Sequence, residues 1–567
     1  EKRRKKLISF TPDDENSSPD RIIFFRILLS FGMGLLIAKL FTLTILEGSR
    51  YRQLASENRL REVKITAARG IIYDRNGTPL VRNIPLFTDE QGGQFFEEKP
   101  ASASGQLREG LTRGYPFGAT LAHVLGYTGE INPEEIVSLN GKFKYSAGDM
   151  VGKMGIEQSY DTLLRGKDGR EVYEVDALGQ IVRVLGRFEP SAGNILKLTL
   201  DGRLQQIAAR ELEGKKGAVI ASIPTTGEIL TLYSSPSFDP NRFIRGENVE
   251  GILVSTDQPL FNRSIAGLYA PGSTFKIVVA LAGLENNIIT PQTVFEDTGI
   301  LKVGDFSFGN WYFLQYGKME GMVEIVKALQ RSNDIFFYKA GEAIGIEKLA
   351  DFGRKVGIGK TFGIDIKGEE AGVMPDPQWA QKVRGSGWFL GNTYHVSIGQ
   401  GDLLVTPLNV NSWANLIASN GKLCTSLLTG AADITKCRDL GLKPANIALV
   451  REGMKRACDS GGTGWPLFNF KVENPGLHTD GVDFLETIES TTSARKMVEI
   501  KTACKTGTAE FGPSAGSGQA KTHAWFTVFA PVVKPQISIT VLVEGGGEGS
   551  TNAAPIAKKM LEEWFGR

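Results

Sequence analysis

Three short motifs, far apart in this chain of 567 residues, constrain its fold most, because they can act together only where folding brings them to one place. The first is Ser273-Thr274-Phe275-Lys276, at the start of an apolar segment of helical pattern. Positions three apart on a helix lie on one face with Cβ atoms about 5–6 Å apart, so the Lys276 amine can reach the Ser273 oxygen. Because a serine hydroxyl is a weak nucleophile without a proton acceptor, this spacing predicts a nucleophile with its own base. Taken alone, the pattern is more often a helix start with Ser273 near the N-cap.

Two further motifs follow in order. Ser332-Asn333-Asp334 interrupts a stretch of helical pattern over 323–338, and Lys505-Thr506-Gly507-Thr508 closes a β-prone run over 497–504. Each alone fits a structural interpretation, as a helix-junction cap at Ser332 or a solvated strand lysine at Lys505. Together, Ser-x-x-Lys, Ser-x-Asn/Asp and Lys-Thr-Gly resemble the signature of class A β-lactamases and penicillin-binding proteins.

The chemistry of acyl transfer explains these residue types. Attack on an amide needs a nucleophile, a proton acceptor that later donates, and donors aimed at the developing oxyanion. Ser273 is predicted to attack and Lys276 to accept its proton. A neutral Lys276 requires a pKa depressed by partial burial and a second cation, for which Lys505 is the candidate. Ser332 is predicted to relay a proton toward the leaving amine.

The third motif also predicts substrate contacts. Gly507 has no side chain, which would let an extended peptide lie against its strand as an added β-strand. The Thr506 hydroxyl and Lys505 ammonium suit a substrate carboxylate. By resemblance to the family, the backbone N–H groups of Ser273 and Thr508 would form the oxyanion hole. The substrate-binding candidates are Asp334, Thr506, Gly507 and Thr508.

Composition excludes other classes. The 65 basic and 63 acidic residues give a net charge of +2, so nothing indicates a nucleic-acid partner. The four cysteines and four histidines show no ligand spacing, so neither a metal site nor a cofactor is predicted. Cys424 and Cys437 flank an apparent hairpin over 425–436, and we hypothesise a disulfide between them. The alternative is four free, mostly buried thiols.

The N-terminal segment predicts a membrane anchor. Residues 27–46 carry a single charge, Lys39, and Lys2-Arg3-Arg4-Lys5-Lys6 precedes them. Twenty residues span the roughly 30 Å hydrocarbon core. Basic flanks stay in the cytoplasm, so 1–26 is predicted to be a cytoplasmic tail and the chain after the anchor to lie outside. A cleaved signal peptide is the alternative, but no Ala-x-Ala pattern follows.

Two regions are expected after the anchor. Over 51–190 the chain reads as a β-rich support, with a hairpin at the Asn76-Gly77 turn and a mobile loop over 90–106. Residues 195–567 show strand patterns, then a helical middle, then further strand patterns. This order predicts an α+β domain with an antiparallel sheet flanked by helices. Its predicted elements are a strand over 196–200, a helix over 203–213, a hairpin over 217–234, a strand over 536–544 and a final helix over Ala554–Phe565.

Three longer segments carry a family resemblance over nearly the whole chain. Residues 69–77 look like the juxtamembrane motif of class B penicillin-binding proteins, 155–179 are similar to the pedestal motif, and 391–407 resemble a core segment of the transpeptidase domain. With the trio, they most closely resemble the penicillin-binding protein 2 group, peptidoglycan D,D-transpeptidases of cell elongation. The family's penicillin-binding fold would follow a pedestal and a single membrane helix.

The resemblance implies a reaction and partners. The serine would attack the D-Ala-D-Ala of a stem peptide, release D-Ala and transfer the acyl group to an amine of a neighbouring stem, and β-lactams would acylate the same serine. A multispanning glycan polymerase of the SEDS type would be the membrane partner, and Gly32, Gly34 and Lys39 in the anchor fit a helix contact. Three departures are the short 90–106 loop in place of a head insertion, Asp334 where Asn is common, and Cys504 where glycine is common.

Other functions share part of the pattern. A class A β-lactamase would share the trio, but this chain is long and anchored. A D,D-carboxypeptidase would use water as acceptor, so product analysis separates it. A bifunctional enzyme would need a glycosyltransferase domain, for which the stretch between Tyr51 and Leu196 leaves little room. A membrane scaffold or β-lactam sensor with an inactive site is the alternative from another class, and penicillin labelling separates it.

Overall fold

The computed structural model describes residues 19–89, 91–100, 107–139, 145–176, 178, 180–430, 437–473, 497–512 and 521–566. The basic cluster at 2–6, part of the predicted 90–106 loop and part of the predicted 425–436 hairpin lie outside the described residues.

The described strands are, in chain order, β1 Leu60–Ile65, β2 Ile72–Tyr73, β3 Pro79–Thr88, β4 Gln94–Phe96, β5 Arg108–Gly114, β6 Thr128–Glu130, β7 Met150–Gly152, β8 Gly169–Val175, β9 Ile181–Phe188, β10 Leu196–Lys197, β11 Gly217–Ser222, β12 Ile229–Ser235, β13 Val294–Asp297, β14 Ile300–Val303, β15 Phe306–Gly309, β16 Gly321–Glu324, β17 Lys422–Cys424, β18 Cys437–Asp439, β19 Lys471–Glu473, β20 Met497–Glu499, β21 Ala503–Phe511, β22 Lys521–Ala530 and β23 Ile537–Val543.

The described helices are α1 Pro19–Phe41, α2 Gly48–Arg59, α3 Ala122–Leu125, α4 Pro133–Leu139, α5 Gly155–Ser159, α6 Asp161–Leu164, α7 Gly202–Glu211, α8 Pro240–Arg245, α9 Val249–Leu253, α10 Lys276–Glu285, α11 Trp311–Tyr316, α12 Ile325–Arg331, α13 Asp334–Ile344, α14 Ile346–Lys355, α15 Pro377–Arg384, α16 Leu390–Ser397, α17 Pro407–Ala418, α18 Pro444–Ala457 and α19 Ala554–Phe565.

The first of two compact units combines the chain up to Ala67 with Lys167–Ser191. Its helical span Asp20–Leu46 is long and apolar enough to cross a membrane. The span begins seven residues before the predicted one, and its large side chains are exposed, Leu29 by 73%. Apolar side chains so exposed on one helix are stable in lipid rather than in water. This unit also contains α2 and an antiparallel sheet in the order β1-β8-β9.

The second unit combines Ala68–Gly166 with the chain from Ala192 and contains the main sheet. Five antiparallel strands lie in the order β12-β11-β23-β22-β21. Successive side chains of a strand point to opposite faces. Trp525 of β22 accordingly packs in the core around α10, while Phe526 packs with α7 and α19. The predicted α+β fold, a sheet between helical layers, is confirmed.

The predicted Asn-Gly turn is confirmed near the start of this unit. Gly77 has φ +88°, a conformation that favours glycine, and β2 pairs with β3 in antiparallel fashion across the turn. The Asp74 carboxylate closes the turn by accepting hydrogen bonds from the backbone N–H groups of Asn76 (2.9 Å) and Thr78 (2.7 Å).

A buried charge network connects two of the segments that resemble family motifs. Glu157, fully buried, accepts from Arg69 at 2.7 Å and from Arg113 at 2.7 Å, and Asp161 accepts from Arg69 at 2.8 Å. Burial alone would raise the pKa of Glu157, but the two guanidinium groups lower it. The carboxylate therefore stays charged, and removing one partner would leave an uncompensated buried charge.

Several element predictions were wrong in detail. The 90–106 segment, predicted to be a mobile loop, contains the strand β4, which pairs with β3. The strand predicted over 196–200 is limited to β10, and the 323–338 stretch opens with the end of β16 before α12 begins. Lys505 lies in a strand, as predicted, and this strand pairs with β22. The β-prone run over 497–504 is divided, because β20 ends at Glu499 and β21 begins at Ala503 and continues to Phe511.

Two disulfides lie among the described residues. The hypothesised bond between Cys424 and Cys437 is confirmed, and these two residues form the last paired position of β17 and β18. A second bond joins Cys458 and Cys504. The sequence did not indicate it, because the two residues are 46 positions apart and meet only when α18 ends against β21.

Candidate active site

Ser273 lies on a short 3₁₀ turn, Gly272–Phe275, that leads into α10. Gly272 has φ +53°, and its N–H donates to the Gly399 carbonyl at 2.8 Å. A Cβ at this position would lie 2.7 Å from the Thr508 carbonyl oxygen, so only glycine lets the turn approach β21 this closely. The Ser273 side chain is partly exposed, while Lys276, one turn later, is fully buried.

Ser332 occupies the junction between α12 and α13. Its φ of +54° is uncommon for a residue with a side chain and ends α12. Asn333 then caps α13 by accepting from the Phe336 N–H at 2.8 Å, and donates to the Asp297 carboxylate at 2.9 Å. The break in the helical pattern predicted from the sequence is therefore a junction of fixed backbone conformation at Ser332.

Two buried lysines converge on Ser332. The Lys276 Nζ donates to the Ser332 carbonyl at 2.7 Å and to the Asp334 carboxylate at 2.6 Å, and lies 3.4 Å from the Ser332 Oγ. The Lys505 Nζ donates to the same Oγ at 2.8 Å and to the Thr506 carbonyl at 3.0 Å. Both lysine side chains are fully buried. The Ser332 hydroxyl thus lies between two amines.

Burial lowers the pKa of both lysines. At Lys276 burial is the largest cause, and the Asp334 carboxylate opposes it. At Lys505 burial and then the charge of Lys276 lower the pKa well below its ordinary value. The single carboxylate of Asp334 therefore faces the two buried amines. Loss of a proton from one of the lysines removes the repulsion between their positive charges. The depressed pKa of Lys276 is as predicted, but its main cause is burial and not Lys505.

Asp334 is held on both sides. One carboxylate oxygen accepts from Lys276, and the other accepts from the backbone N–H of Trp311 at 2.9 Å. The Asp334 N–H donates to the Asn310 side-chain oxygen at 3.1 Å. Sequence reasoning missed Asn310 and Trp311, because the 310–311 segment carries no motif and meets Asp334 only through the fold.

The strand β21 has a neighbour in its sheet on one side only, β22, within the part of the chain that the structure describes. An edge strand offers backbone groups to an extended peptide. Thr506 is nearly buried and donates its hydroxyl to the Thr463 hydroxyl at 2.8 Å, while Thr508 is exposed.

Gly507 has a packing role that the sequence did not indicate. A Cβ there would lie 2.9 Å from the Trp525 Cβ and 3.0 Å from the Thr274 Cγ2. The missing side chain therefore lets β21 pack against its neighbour strand and the Ser273 turn. That it also lets an extended peptide lie against β21 stays a prediction.

The segment 391–407 contacts the Ser273 turn and the residues just before it. Gly399 accepts from Gly272, and the Val405 carbonyl accepts from the Tyr269 N–H at 2.9 Å. The structure thus brings all eight predicted site residues into one region: Ser273, Lys276, Ser332, Asp334, Lys505, Thr506, Gly507 and Thr508. Among the described residues, no group of three or more His, Cys, Asp or Glu could hold a metal ion.

Comparison with known proteins agrees with this geometry. Residues 217–562 match the penicillin binding protein transpeptidase domain, and residues 94–198 match the penicillin-binding protein dimerisation domain. The chain belongs to the penicillin-binding protein transpeptidase family.

Within that family, the chain is similar to members of the penicillin-binding protein 2 group. It is 31% identical to the peptidoglycan D,D-transpeptidase MrdA of Acinetobacter baumannii, over 95% of this chain and 88% of the relative. The solved complex of penicillin-binding protein 2 with MreC from Helicobacter pylori matches with a TM-score of 0.72 and 29% identity, over 89% of this chain and 98% of the other. A peptidoglycan synthase complex that coordinates polymerization and crosslinking contains a chain with a TM-score of 0.72 and 26% identity, over 96% of this chain and 98% of that one.

Proposed function

We propose that this protein is a peptidoglycan D,D-transpeptidase of the elongation type, acting through a Ser273 acyl-enzyme and inhibited by β-lactams. The observation that carries the proposal is the Ser332 hydroxyl between the Lys276 and Lys505 amines, beside the Ser273 turn and an edge strand. The similarity to MrdA supports the same reaction class.

Acylation follows from this arrangement. A neutral Lys276 accepts the proton of Ser273 as its oxygen attacks the carbonyl of the penultimate D-Ala. The backbone N–H groups of Ser273 and Thr508 stabilise the oxyanion. The C–N bond to the terminal D-Ala then breaks, and Ser332 carries a proton from the lysine pair to the departing amine. An ester has replaced the amide, and free D-Ala leaves.

Deacylation reverses the proton path. The amine of a second stem attacks the ester, and the proton of this amine passes to Lys276. The Ser273 oxygen recovers a proton as the new amide forms. Thr506 and Lys505 hold the terminal carboxylate of the donor during acylation, and β21 aligns its backbone. Water in place of the second stem would give a D,D-carboxypeptidase.

Product analysis separates these reactions. Purified full-length protein in detergent, given a donor stem peptide ending in D-Ala-D-Ala and an acceptor stem with a free amine, should release D-Ala and form a crosslinked dimer detectable by mass spectrometry. The Ser273→Ala protein is the control and should form neither. Release of D-Ala with only the shortened donor would replace transpeptidase by carboxypeptidase, and no release with no penicillin adduct would indicate a scaffold or sensor.

The apolar span supports a single-pass membrane protein, whose catalytic unit lies outside the cytoplasm in this proposal. Its proposed membrane partner is a multispanning SEDS-type glycan polymerase. Among the described residues, a Cβ at Gly32 or Gly34 would meet no atom within 4 Å, so a neighbouring helix could approach closely at these positions. The similarity to a chain of a peptidoglycan synthase complex supports the partner class.

Exchange of residues 27–46 for an unrelated membrane helix tests the partnership. The chimera should be acylated by penicillin at the normal rate but should co-purify less with the polymerase and support less cell-wall synthesis. A matched chimera that keeps Gly32, Gly34 and Lys39 in the new helix should recover both. Undiminished co-purification by the first chimera would show that the helix is only a tether.

A further inference from the structure

The turn 458–464 connects the end of α18 to the two halves of the proposed active site. On the β21 side, Cys458 is bonded to Cys504, the residue before Lys505, and the Thr463 hydroxyl accepts from the Thr506 hydroxyl at 2.8 Å. On the Ser332 side, the Gly461 carbonyl accepts from the Arg331 guanidinium at 2.8 Å. We call these residues the clamp turn.

Helix α18, which precedes the clamp turn, packs closely against α12, the helix that leads to Ser332. A Cβ at Gly453 of α18 would lie 2.7 Å from the Leu329 Cβ of α12, so the two helices are in close contact. Helix α12 ends at Arg331, one residue before Ser332. Helix α18 packs on α12, and Cys458, the residue after α18, is bonded to Cys504 of β21. The clamp turn therefore sets the separation between Ser332 and the strand that carries Lys505.

Thr463 also decides which way the Thr506 hydroxyl points. A hydroxyl has one proton to donate. In the structure Thr506 donates it to Thr463 at 2.8 Å, and this bond fixes the position of the Thr506 oxygen. When a carboxylate arrives, Thr463 can donate to Thr506 instead, and the Thr506 proton is then free for the ligand. The pair thus acts as a donor relay between two nearly fixed oxygens.

We propose that Thr463 is a positioning residue for recognition of the substrate carboxylate, acting through the Thr506 hydroxyl and held in place by the Cys458–Cys504 disulfide. The proposal rests on the function proposed above, since it takes the carboxylate of the donor peptide or penicillin as the ligand of Thr506. The hydroxyl and the disulfide are separate requirements of the same turn, and each can be removed alone.

The test compares benzylpenicillin with its methyl ester, which lacks the carboxylate. In the Thr463→Val protein the second-order rate of Ser273 acylation by benzylpenicillin should fall about tenfold, the effect of one hydrogen bond to a charged group. The rate with the ester should be unchanged. Thr463→Ser, which keeps the hydroxyl, should retain the preference for the free acid, and Ser460→Ala, in the same turn but exposed, should behave as the wild type.

The disulfide is tested with matched pairs of cysteine variants. Cys458→Ala with Cys504→Ala should lose most of the preference for the free acid, while Cys424→Ala with Cys437→Ala, which also removes one disulfide, should keep it. A purely structural role would lower the rates with acid and ester alike, and this result would overturn the proposal.

The remaining outcomes are also distinct. If serine at 463 loses the preference as fully as valine, the methyl group and not the hydroxyl is responsible, and the proposal is wrong. If Thr463→Val reacts like the wild type with both compounds, the positioning role is wrong but the proposed function stands. If the wild type itself forms no Ser273 adduct, the proposed function fails.

Discussion

Replacement of Ser273 by alanine should abolish covalent labelling by a fluorescent penicillin, with a loss in acylation rate of at least about 10³-fold. The physical reason is that, in the proposed mechanism, the ester forms on the Ser273 oxygen. Because this side chain is partly exposed on a turn that Gly272 and Thr274 hold, the variant should keep the thermal unfolding midpoint of the wild type. Gel fluorescence and peptide mapping measure the first expectation, and a melting curve measures the second.

The matched control is Ser138→Ala, at an exposed serine on α4. It should label like the wild type. Labelling that survives in the Ser273→Ala protein would mean that another residue is the nucleophile, and mapping the modified peptide would identify it.

Replacement of Lys276 by arginine should lower acylation to nearly the level of the serine variant. A guanidinium stays protonated at neutral pH, so it cannot accept the serine proton even though it keeps the positive charge. Lys276→Met, similar in length and uncharged, should fail as well, because it removes the base without adding a cation. Near-normal acylation by either protein, measured by stopped-flow with a chromogenic β-lactam, would rule Lys276 out as the base.

The pH dependence of acylation gives a finer test of the same lysine. In the proposed mechanism the active form is neutral Lys276, so the rate should rise with pH through the lowered pKa of this amine. The Asp334 carboxylate raises that pKa, so Asp334→Asn, which removes the negative charge and keeps one oxygen that can accept from Lys276 but no acceptor for the Trp311 N–H, should move the rising limb to lower pH. A limb that stays in place, or moves to higher pH, would show that Asp334 does not control the protonation of the base.

The chain by itself determined the local elements and the identity of the reactive groups. The closing helix Ala554–Phe565, the hairpin of β11 and β12 and the turn at Gly77 follow from short-range periodicity and turn chemistry, which consecutive residues carry. The motif order also predicted that Ser273, Lys276, Ser332 and Lys505 would meet, because acyl transfer needs those groups together.

Only the tertiary structure decided how they meet. The order of the sheet makes β21 an edge strand, the packing of Trp525 and the Ser273 turn explains Gly507, and the end of α18 brings Cys458 to Cys504 and Thr463 to Thr506. Burial, a property of the whole core, is the main cause of the lowered pKa of Lys276. These contacts join residues tens to hundreds of positions apart, and no local pattern encodes them, because their energies depend on which surfaces the complete fold brings together.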